Sequence, residues 1–182
     1  MAIEPDTKDW TWVLSDPCPE CGFDPTAFDA RRLPELIHEN TRGWYESVFR
    51  EPDVAVRPAA NIWSPLEYAC HVRDVHVLFA ERVRLMRDQD DPQFANWDQD
   101  ATAVESRYAE QDPETVETEL IEASAEMAAL FASILDTEWQ RVGRRSNGSV
   151  FTIETLGIYY LHDIVHHLHD VGGPVTGAPA AS

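Results

Sequence analysis

Basic side chains are scarce in this sequence, and lysine is almost absent. The 182 residues include 14 lysines and arginines against 33 aspartates and glutamates, and Lys8 is the only lysine. The formal net charge is -19 at pH 7. Because phosphate groups are bound by clustered lysines and arginines, we expect neither nucleic acid nor an anionic membrane surface as a partner. The preference for arginine over lysine is typical of a GC-rich genome.

Long hydrophobic runs and a cysteine framework are also missing. No stretch approaches the roughly 18 apolar residues of a membrane-spanning helix. Met1–Asp6 lacks the basic region and apolar core of a signal peptide. The three cysteines, Cys18, Cys21 and Cys70, are an odd number and do not make a disulfide framework. We therefore expect a cytoplasmic protein in a reducing compartment.

The apolar sequence that is present suffices for one domain with a substantial core. Apolar residues make up 43% of the chain, and they recur at helical spacing in four segments, at about 33–49, 65–88, 113–135 and 153–171. Ser64 and Thr152 are predicted N-caps of the second and fourth segments. No strand pattern of comparable length occurs, so we predict an all-α four-helix bundle over residues 31–171. We predict an irregular N-terminal arm at 1–30 and a flexible, disordered tail at 172–182.

Four of the seven histidines fall within eight residues of the last predicted helix. At about 100° per residue, His162, His166 and His169 lie within about 60° of one another on one helix face. His162 and His166 are one turn apart, so both rings can reach the same ion. The same projection directs Asp163 to the flank and His167 to the far side. Two interpretations stay open, a shared metal ion or hydrogen-bonded core histidines, and burying both imidazoles without a shared partner is costly.

A third ligand has to come from another helix, because bundles place metal ligands on facing helices. On the second helix His71 lies about 100° from the centre of the apolar stripe, whereas His76 lies within the stripe and is a predicted core residue. His71 is therefore the candidate third ligand for His162 and His166. Three neutral imidazoles leave a tetrahedral ion with one open position, which is the catalytic arrangement and not the structural one.

The arm carries a second possible site. Cys18–Gly22 reads C-P-E-C-G, which has the form of one zinc knuckle, with Pro and Gly setting a turn that aims both sulfurs at one point. A closed site needs two more ligands, and no second cysteine pair exists. Cys70 and a histidine would complete it, although Cys70 lies about 100° from His71 and suits the histidine site poorly. A bound metal, a reversible dithiol and an ordinary reduced turn are the open interpretations.

Two further segments are candidates for a pocket wall. Phe94–Asp100 combines aromatic and carboxamide groups that suit either a lid or a surface turn. Arg141, Arg144 and Arg145 form the one cationic cluster of the sequence. These arginines suit either a substrate carboxylate or simple compensation of the acidic helices.

Two elements of the sequence resemble the DinB-like family of metal-binding four-helix bundles. They are Trp63–His71, which reads W-S-P-L-E-Y-A-C-H, and Tyr160–His167, which reads Y-L-H-D-I-V-H-H. The resemblance spans roughly residues 33–171. It implies a homodimer and a divalent ion, zinc or nickel, bound by His71, His162 and His166. The superfamily includes mycothiol-dependent maleylpyruvate isomerases, in which a glutamate stands where this chain has His162, and bacillithiol S-transferases.

Three functional hypotheses follow. The resemblance implies a thiol S-transferase or isomerase, in which a low-molecular-weight thiol of the mycothiol type is the cosubstrate and attacks an electrophilic substrate as a metal-bound thiolate. The second is a hydrolase with a metal-bound water, where Asp163 takes the place of Glu in H-E-x-x-H but is shorter and better suited to orienting a ligand. The third is a non-catalytic, metal-binding stress-response protein, which His169 and the acidic surface support. An open coordination position beside a pocket would favour catalysis.

Overall fold

The protein is an all-α four-helix bundle, as predicted. The computed structural model describes residue 3 and residues 8–177. The bundle helices are α1 (Leu33–Glu46), α2 (Pro65–Asp88), α4 (Pro113–Ala132) and α5 (Ile153–Asp170), and the short helix α3 (Gln99–Glu105) lies between α2 and α4 in the chain. Both α1 and α2 pack against α4 and α5, so the apolar stripes of all four helices meet in one core.

The two helices that carry the predicted site begin at well-defined caps. Ser64 accepts a hydrogen bond from Glu67 N at 3.2 Å, and Glu67 Oε2 accepts one from Ser64 N at 2.9 Å. Thr152 caps α5 in the same reciprocal way through Thr155. Each cap satisfies backbone N–H groups that the helix cannot satisfy itself and stabilises it by about 1 kcal/mol. Both predicted N-caps are confirmed.

A fully buried polar pair joins α2 to α5. His76 Nδ1 lies 2.6 Å from the Tyr160 hydroxyl, and neither residue is exposed to solvent. Burial lowers the pKa of His76 to about 3, so the ring is neutral at pH 7. His76 is therefore the core residue that its position in the apolar stripe predicts.

A small sheet, which the sequence did not predict, closes one end of the molecule. Its strands are β1 (Gln93–Phe94), β2 (Val142–Arg145) and β3 (Val150–Thr152), with β1 parallel and β3 antiparallel to β2. Strands of two to four residues are too short to show an alternating pattern. Arg141 and Arg144 form ion pairs with Asp90 and Asp91, as expected for side chains that balance acidic neighbours.

Both ends of the described chain lie against the bundle. In the arm, short 3-10 helices span Trp10–Leu14, Pro25–Ala27 and Ala30–Arg32, and the first of them packs on α5. In the segment predicted as a tail, Thr176 is buried and accepts a hydrogen bond from Asn40 Nδ2 at 3.0 Å. Residues 178–182 of that segment and most of Met1–Asp6 lie outside the described residues. None of the helices in the described residues is long and apolar enough to cross a membrane.

Candidate metal centres

Metal-ligating side chains come together in two clusters within the described residues. The first, the α2–α5 cluster, consists of His71, Asp163 and His167. The second, the arm–α5 cluster, consists of Cys18, Cys21, His162 and His166. Within each cluster, one potential ligand atom per residue lies within 4.8 Å of all the others.

The three histidines predicted to share an ion are therefore divided between the clusters. His71 belongs to the α2–α5 cluster, whereas His162 and His166 belong to the arm–α5 cluster. Their binding of a single ion stays a prediction.

In the α2–α5 cluster one carboxylate oxygen faces two imidazoles. Asp163 Oδ1 lies 3.4 Å from His71 Nε2 and 3.6 Å from His167 Nε2. The ring centroids of His71 and His167 are 4.6 Å apart. His71 comes from α2, while Asp163 and His167 come from successive turns of α5. The packing of α2 on α5 thus brings three donor groups to one point.

The cluster contains buried polar atoms that fit a divalent ion. Both ring nitrogens of His71 and Asp163 Oδ1 are buried and have no hydrogen-bond partner among the described residues. A buried polar atom without a partner costs roughly 1–3 kcal/mol. Two imidazoles and a carboxylate are donors that first-row divalent metals accept, and an ion between them would give Asp163 Oδ1 and one of the two His71 nitrogens a partner. The residues therefore fit the metal that the resemblance implies.

The protonation states suit metal binding as well. Burial lowers the pKa of His71, which keeps its ring neutral at pH 7. Burial alone would raise the pKa of Asp163, but contact with His71 and the charges of neighbouring histidines hold it at about 2. A neutral imidazole and an ionised carboxylate are the forms that coordinate metals.

Aromatic rings surround the cluster. The Trp97 ring is stacked on His71 with centroids 5.1 Å apart and planes 8° apart, and Trp63 packs on the same imidazole at 5.5 Å. Trp97 belongs to Phe94–Asp100, so this segment covers His71, and the lid interpretation fits better than a surface turn. Asp163 and His167 line a cavity of about 330 Å³, which His162 and His166 line as well.

A second cavity of about 610 Å³ adjoins the first. The two share Trp10, Gln99, Asp100 and Tyr159 among their lining residues, and Arg145 lines only the second. The Arg145 guanidinium lies 5.7 Å from the ring centroids of both Phe151 and Tyr159. Arg145 thus borders this cavity, and Arg141 and Arg144 do not.

The arm–α5 cluster lies on the neighbouring face of α5. Cys18 Sγ is 3.7 Å from His166 Nδ1, and the His162 and His166 ring centroids are 5.1 Å apart. Burial lowers the pKa of His162 to about 4 and also lowers that of His166, so both rings are neutral at pH 7. His169 is exposed and Cys70 lies against Gln111. Neither is part of the two clusters found among the described residues.

The helical projection separates Asp163 and His167 from the face of α5 that carries His162 and His166, and the structure shows the same separation. The face of Asp163 and His167 is the one that contacts His71. The reason is that α5 lies between α2 and the arm and carries ligands on two faces. The sequence itself shows that Asp163 and His167 are spaced i, i+4, each one position after His162 and His166.

Comparison with known proteins agrees with the fold. Residues 38–171 match the model of the DinB superfamily. Among solved structures, YfiT from Bacillus subtilis matches with a TM-score of 0.69 at 19% identity, over 79% of this chain and 85% of that chain. YfiT is described as a probable metal-dependent hydrolase with an unusual four-helix bundle topology. A search of curated proteins found no match. Cys18 and Cys21 lie outside the residues that the family model covers.

Proposed function

The chain belongs to the DinB superfamily, and on this premise we propose that it is a metal-dependent thiol S-transferase or isomerase. The α2–α5 cluster carries the proposal, because His71 and Asp163 contribute buried atoms without hydrogen-bond partners among the described residues, and Asp163 and His167 line a cavity that His162 and His166 also border. We propose His71, Asp163 and His167 as the ligands of the functional ion. Zinc and nickel both accept two imidazoles and a carboxylate. Dimerisation and a cytoplasmic location stay predictions.

Three protein donors are the number typical of catalytic sites. An ion bound there would deprotonate a thiol in the open position and polarise an electrophile. The residues around the ion would orient its ligands and shield them from water. Asp163 Oδ1 faces both imidazoles, while Trp97 and Trp63 keep water away from His71.

The two adjoining cavities support a reaction with two organic substrates. A transferase must hold a nucleophile and an electrophile at once, whereas a hydrolase needs only one organic substrate beside water. The first cavity borders Asp163 and His167, and the second borders Arg145, whose guanidinium suits a carboxylate on the electrophile. In a transfer the thiol sulfur forms a bond to the electrophilic carbon, the leaving group departs with its bonding electrons, and the thiol proton passes to solvent.

Hydrolysis is the second candidate. The likeness to YfiT, described as a probable metal-dependent hydrolase, favours it. Water would then replace the thiol, and the cavity beside Arg145 would hold part of a single substrate.

The test uses the full chain loaded with Zn²⁺ or Ni²⁺. N-acetylcysteine or mycothiol is supplied with 1-chloro-2,4-dinitrobenzene as the electrophile, and 4-nitrophenyl acetate without thiol is assayed in parallel. We expect ion-dependent thiol transfer that is lost in His167→Ala and retained in His38→Ala, a control at an exposed histidine. Ester turnover without thiol would support hydrolysis. No turnover of either kind in the loaded protein would favour the non-catalytic hypothesis.

Metal content separates the two possible ligand sets. If His71, Asp163 and His167 hold the functional ion, His162→Ala leaves that ion bound and Asp163→Ala removes it. If the predicted trio of His71, His162 and His166 holds it, His71→Ala and His162→Ala remove the same ion.

A further inference from the structure

We propose that Cys18, Cys21, His162 and His166 form a second metal site, a closed Cys2His2 zinc site that fastens the arm to α5. The site is separate from the α2–α5 cluster and has a structural role. It does not depend on the proposed function, because its test reads metal coordination and not turnover.

The donor spacing agrees with tetrahedral zinc. Zn–S bonds of about 2.3 Å and Zn–N bonds of about 2.0–2.1 Å place a sulfur and a nitrogen ligand about 3.6 Å apart. Cys18 Sγ lies 3.7 Å from His166 Nδ1. One ligand atom from each of the four residues lies within 4.8 Å of the others. The four donors therefore need only small side-chain adjustments to share one ion.

The backbone of the arm forms the turn of a zinc knuckle. Cys18 N donates to Phe23 O at 2.7 Å, and Gly22 N donates to Cys18 O at 2.9 Å. Gly22 has a φ of +74°, a conformation in which a residue with a side chain would be strained. This turn holds Cys18 and Cys21 in one cluster with the two histidines.

The orientation of His166 points to a metal ligand. Its Nδ1 faces Cys18, while its Nε2 lies 3.6 Å from Glu20 Oε2 and 3.7 Å from Asp170 Oδ1. Carboxylates on one side favour a proton on Nε2 and leave the Nδ1 lone pair free to coordinate a metal. This is how carboxylates commonly orient ligand imidazoles.

His162 also has the environment of a metal ligand. Its Nε2 is buried and has no hydrogen-bond partner in the described part of the chain. A disulfide between Cys18 and Cys21 would leave this atom unsatisfied. A zinc ion with two thiolate and two imidazole ligands provides the partner, and thiolates favour zinc over magnesium or calcium.

The number of ligands makes the site structural, although His162 and His166 also line the 330 Å³ cavity. Cys18, His162 and His166 are 1%, 4% and 6% exposed, and the Trp10 ring packs on both imidazoles. Four protein donors saturate a tetrahedral zinc ion and leave no position for a substrate.

The closed site also positions the first cluster. His162 and His166 each precede a residue of the α2–α5 cluster, Asp163 and His167, by one position. Binding His162 and His166 to the arm fixes the rotation of α5 about its axis. That rotation sets the direction in which Asp163 and His167 face His71. The arm also contributes Trp10 and Glu20 to the wall of the cavity.

The test is cobalt substitution and zinc X-ray absorption on the full chain. In the His71→Ala/His167→Ala variant we expect one equivalent of zinc with two sulfur and two nitrogen neighbours. Cobalt in that variant should give a thiolate-to-metal charge-transfer band, which is lost in Cys18→Ser/Cys21→Ser. The matched control is Cys70→Ser, which removes the third cysteine and should keep the band.

Three results would overturn the proposal: zinc without sulfur neighbours, a charge-transfer band that persists in Cys18→Ser/Cys21→Ser, or a Cys18–Cys21 disulfide in the metal-loaded protein. If Cys18→Ser/Cys21→Ser fails to fold, X-ray absorption of His71→Ala/His167→Ala, which keeps both cysteines, still shows whether sulfur binds the zinc. If the α2–α5 cluster binds no ion, the sulfur neighbours and the charge-transfer band are still expected. The Cys2His2 site and the proposed function can therefore be refuted independently.

Discussion

His71 Nε2 lies 3.4 Å from Asp163 Oδ1, and this contact joins α2 to α5 at the candidate metal site. The same oxygen lies 3.6 Å from His167 Nε2. Asp163 Oδ1 and both His71 nitrogens have no hydrogen-bond partner among the described residues. A divalent ion between the three side chains would give Asp163 Oδ1 and one of the two His71 nitrogens a partner, so this contact favours metal binding.

Asp170 touches histidines of both clusters. Its Oδ2 lies 3.0 Å from His167 Nδ1, and its Oδ1 lies 3.7 Å from His166 Nε2. Loss of a carboxylate that orients a ligand imidazole typically weakens metal binding about 10- to 100-fold. We expect Asp170→Asn to lower the Zn²⁺ affinity of both clusters by about this factor, measured by competition with a chromophoric chelator. The exposed Asp136→Asn serves as control, and an unchanged affinity in Asp170→Asn would contradict the orienting role.

Trp97 shields His71. Because its ring is stacked on the imidazole, Trp97→Ala should open a route for water and chelators. We expect zinc to dissociate from the α2–α5 cluster several-fold faster, with the release measured by stopped-flow mixing with EDTA. Leu135→Ala, at an exposed apolar residue, should release zinc at the wild-type rate. Equal rates in the two variants would exclude a lid role for Phe94–Asp100.

Arg145 should select anionic electrophiles. It borders the second cavity and packs against Phe151 and Tyr159. A flexible lysine cannot reproduce a planar, stacked guanidinium. Charge-assisted hydrogen bonds contribute roughly 1.5–3 kcal/mol, so Arg145→Lys should raise KM for a carboxylate-bearing electrophile at least about tenfold and leave metal content unchanged. Arg144→Lys is the matched control, because Arg144 pairs with Asp91 at the surface. An equal effect in both variants would refute the assignment.

Glu67 gives stability a predictable dependence on pH. Burial raises its pKa, but hydrogen bonds from Arg57 and Ser64 outweigh burial and hold the pKa below its ordinary value of 4.5. A lowered folded-state pKa means that the contribution is present above pH 4.5 and is lost as the pH falls further. Glu67→Gln should therefore lower the free energy of unfolding by about 1–3 kcal/mol at neutral pH and by less in acid.

Urea denaturation at neutral pH and below pH 4.5 checks this prediction. Glu35→Gln is the control, because its ion pair with Arg32 is exposed and should contribute less than about 1 kcal/mol. If Glu67→Gln lowers the free energy of unfolding by the same amount at both pH values, the ionisation of Glu67 does not contribute to stability as predicted.

The His76–Tyr160 pair should also depend on pH. Burial lowers the pKa of His76 from its ordinary value of 6.5 to about 3. The unfolded chain therefore binds a proton that the folded protein does not, and stability falls as the pH drops from 6.5 toward 3. Tyr160→Phe leaves His76 Nδ1 without its partner and should destabilise the fold by about 1–3 kcal/mol. Chemical denaturation measures this loss, with the partly buried Tyr45→Phe as control, and wild-type stability in Tyr160→Phe would show that the hydroxyl contributes nothing.

Local features of the fold could be predicted because their causes are local. Ser64, Pro65 and Glu67 mark the start of α2 through hydrogen bonds within one turn. The position of His76 in the apolar stripe placed it in the core. The family resemblance is confirmed over residues 38–171. The short strands escaped prediction because β1 and β2 lie about fifty residues apart in the chain and each holds too few residues to show a period.

The sequence by itself determined that α5 carries two i, i+4 pairs, His162 with His166 and Asp163 with His167, because the spacing of side chains on a helix follows from its 3.6-residue period. Only the tertiary structure decided which neighbour each pair meets. Helical spacing gives relative directions around one axis, whereas the rotation of α5 is set by packing against α2 and the arm. That packing places Asp163 and His167 on His71, and His162 and His166 on the Cys18–Cys21 turn.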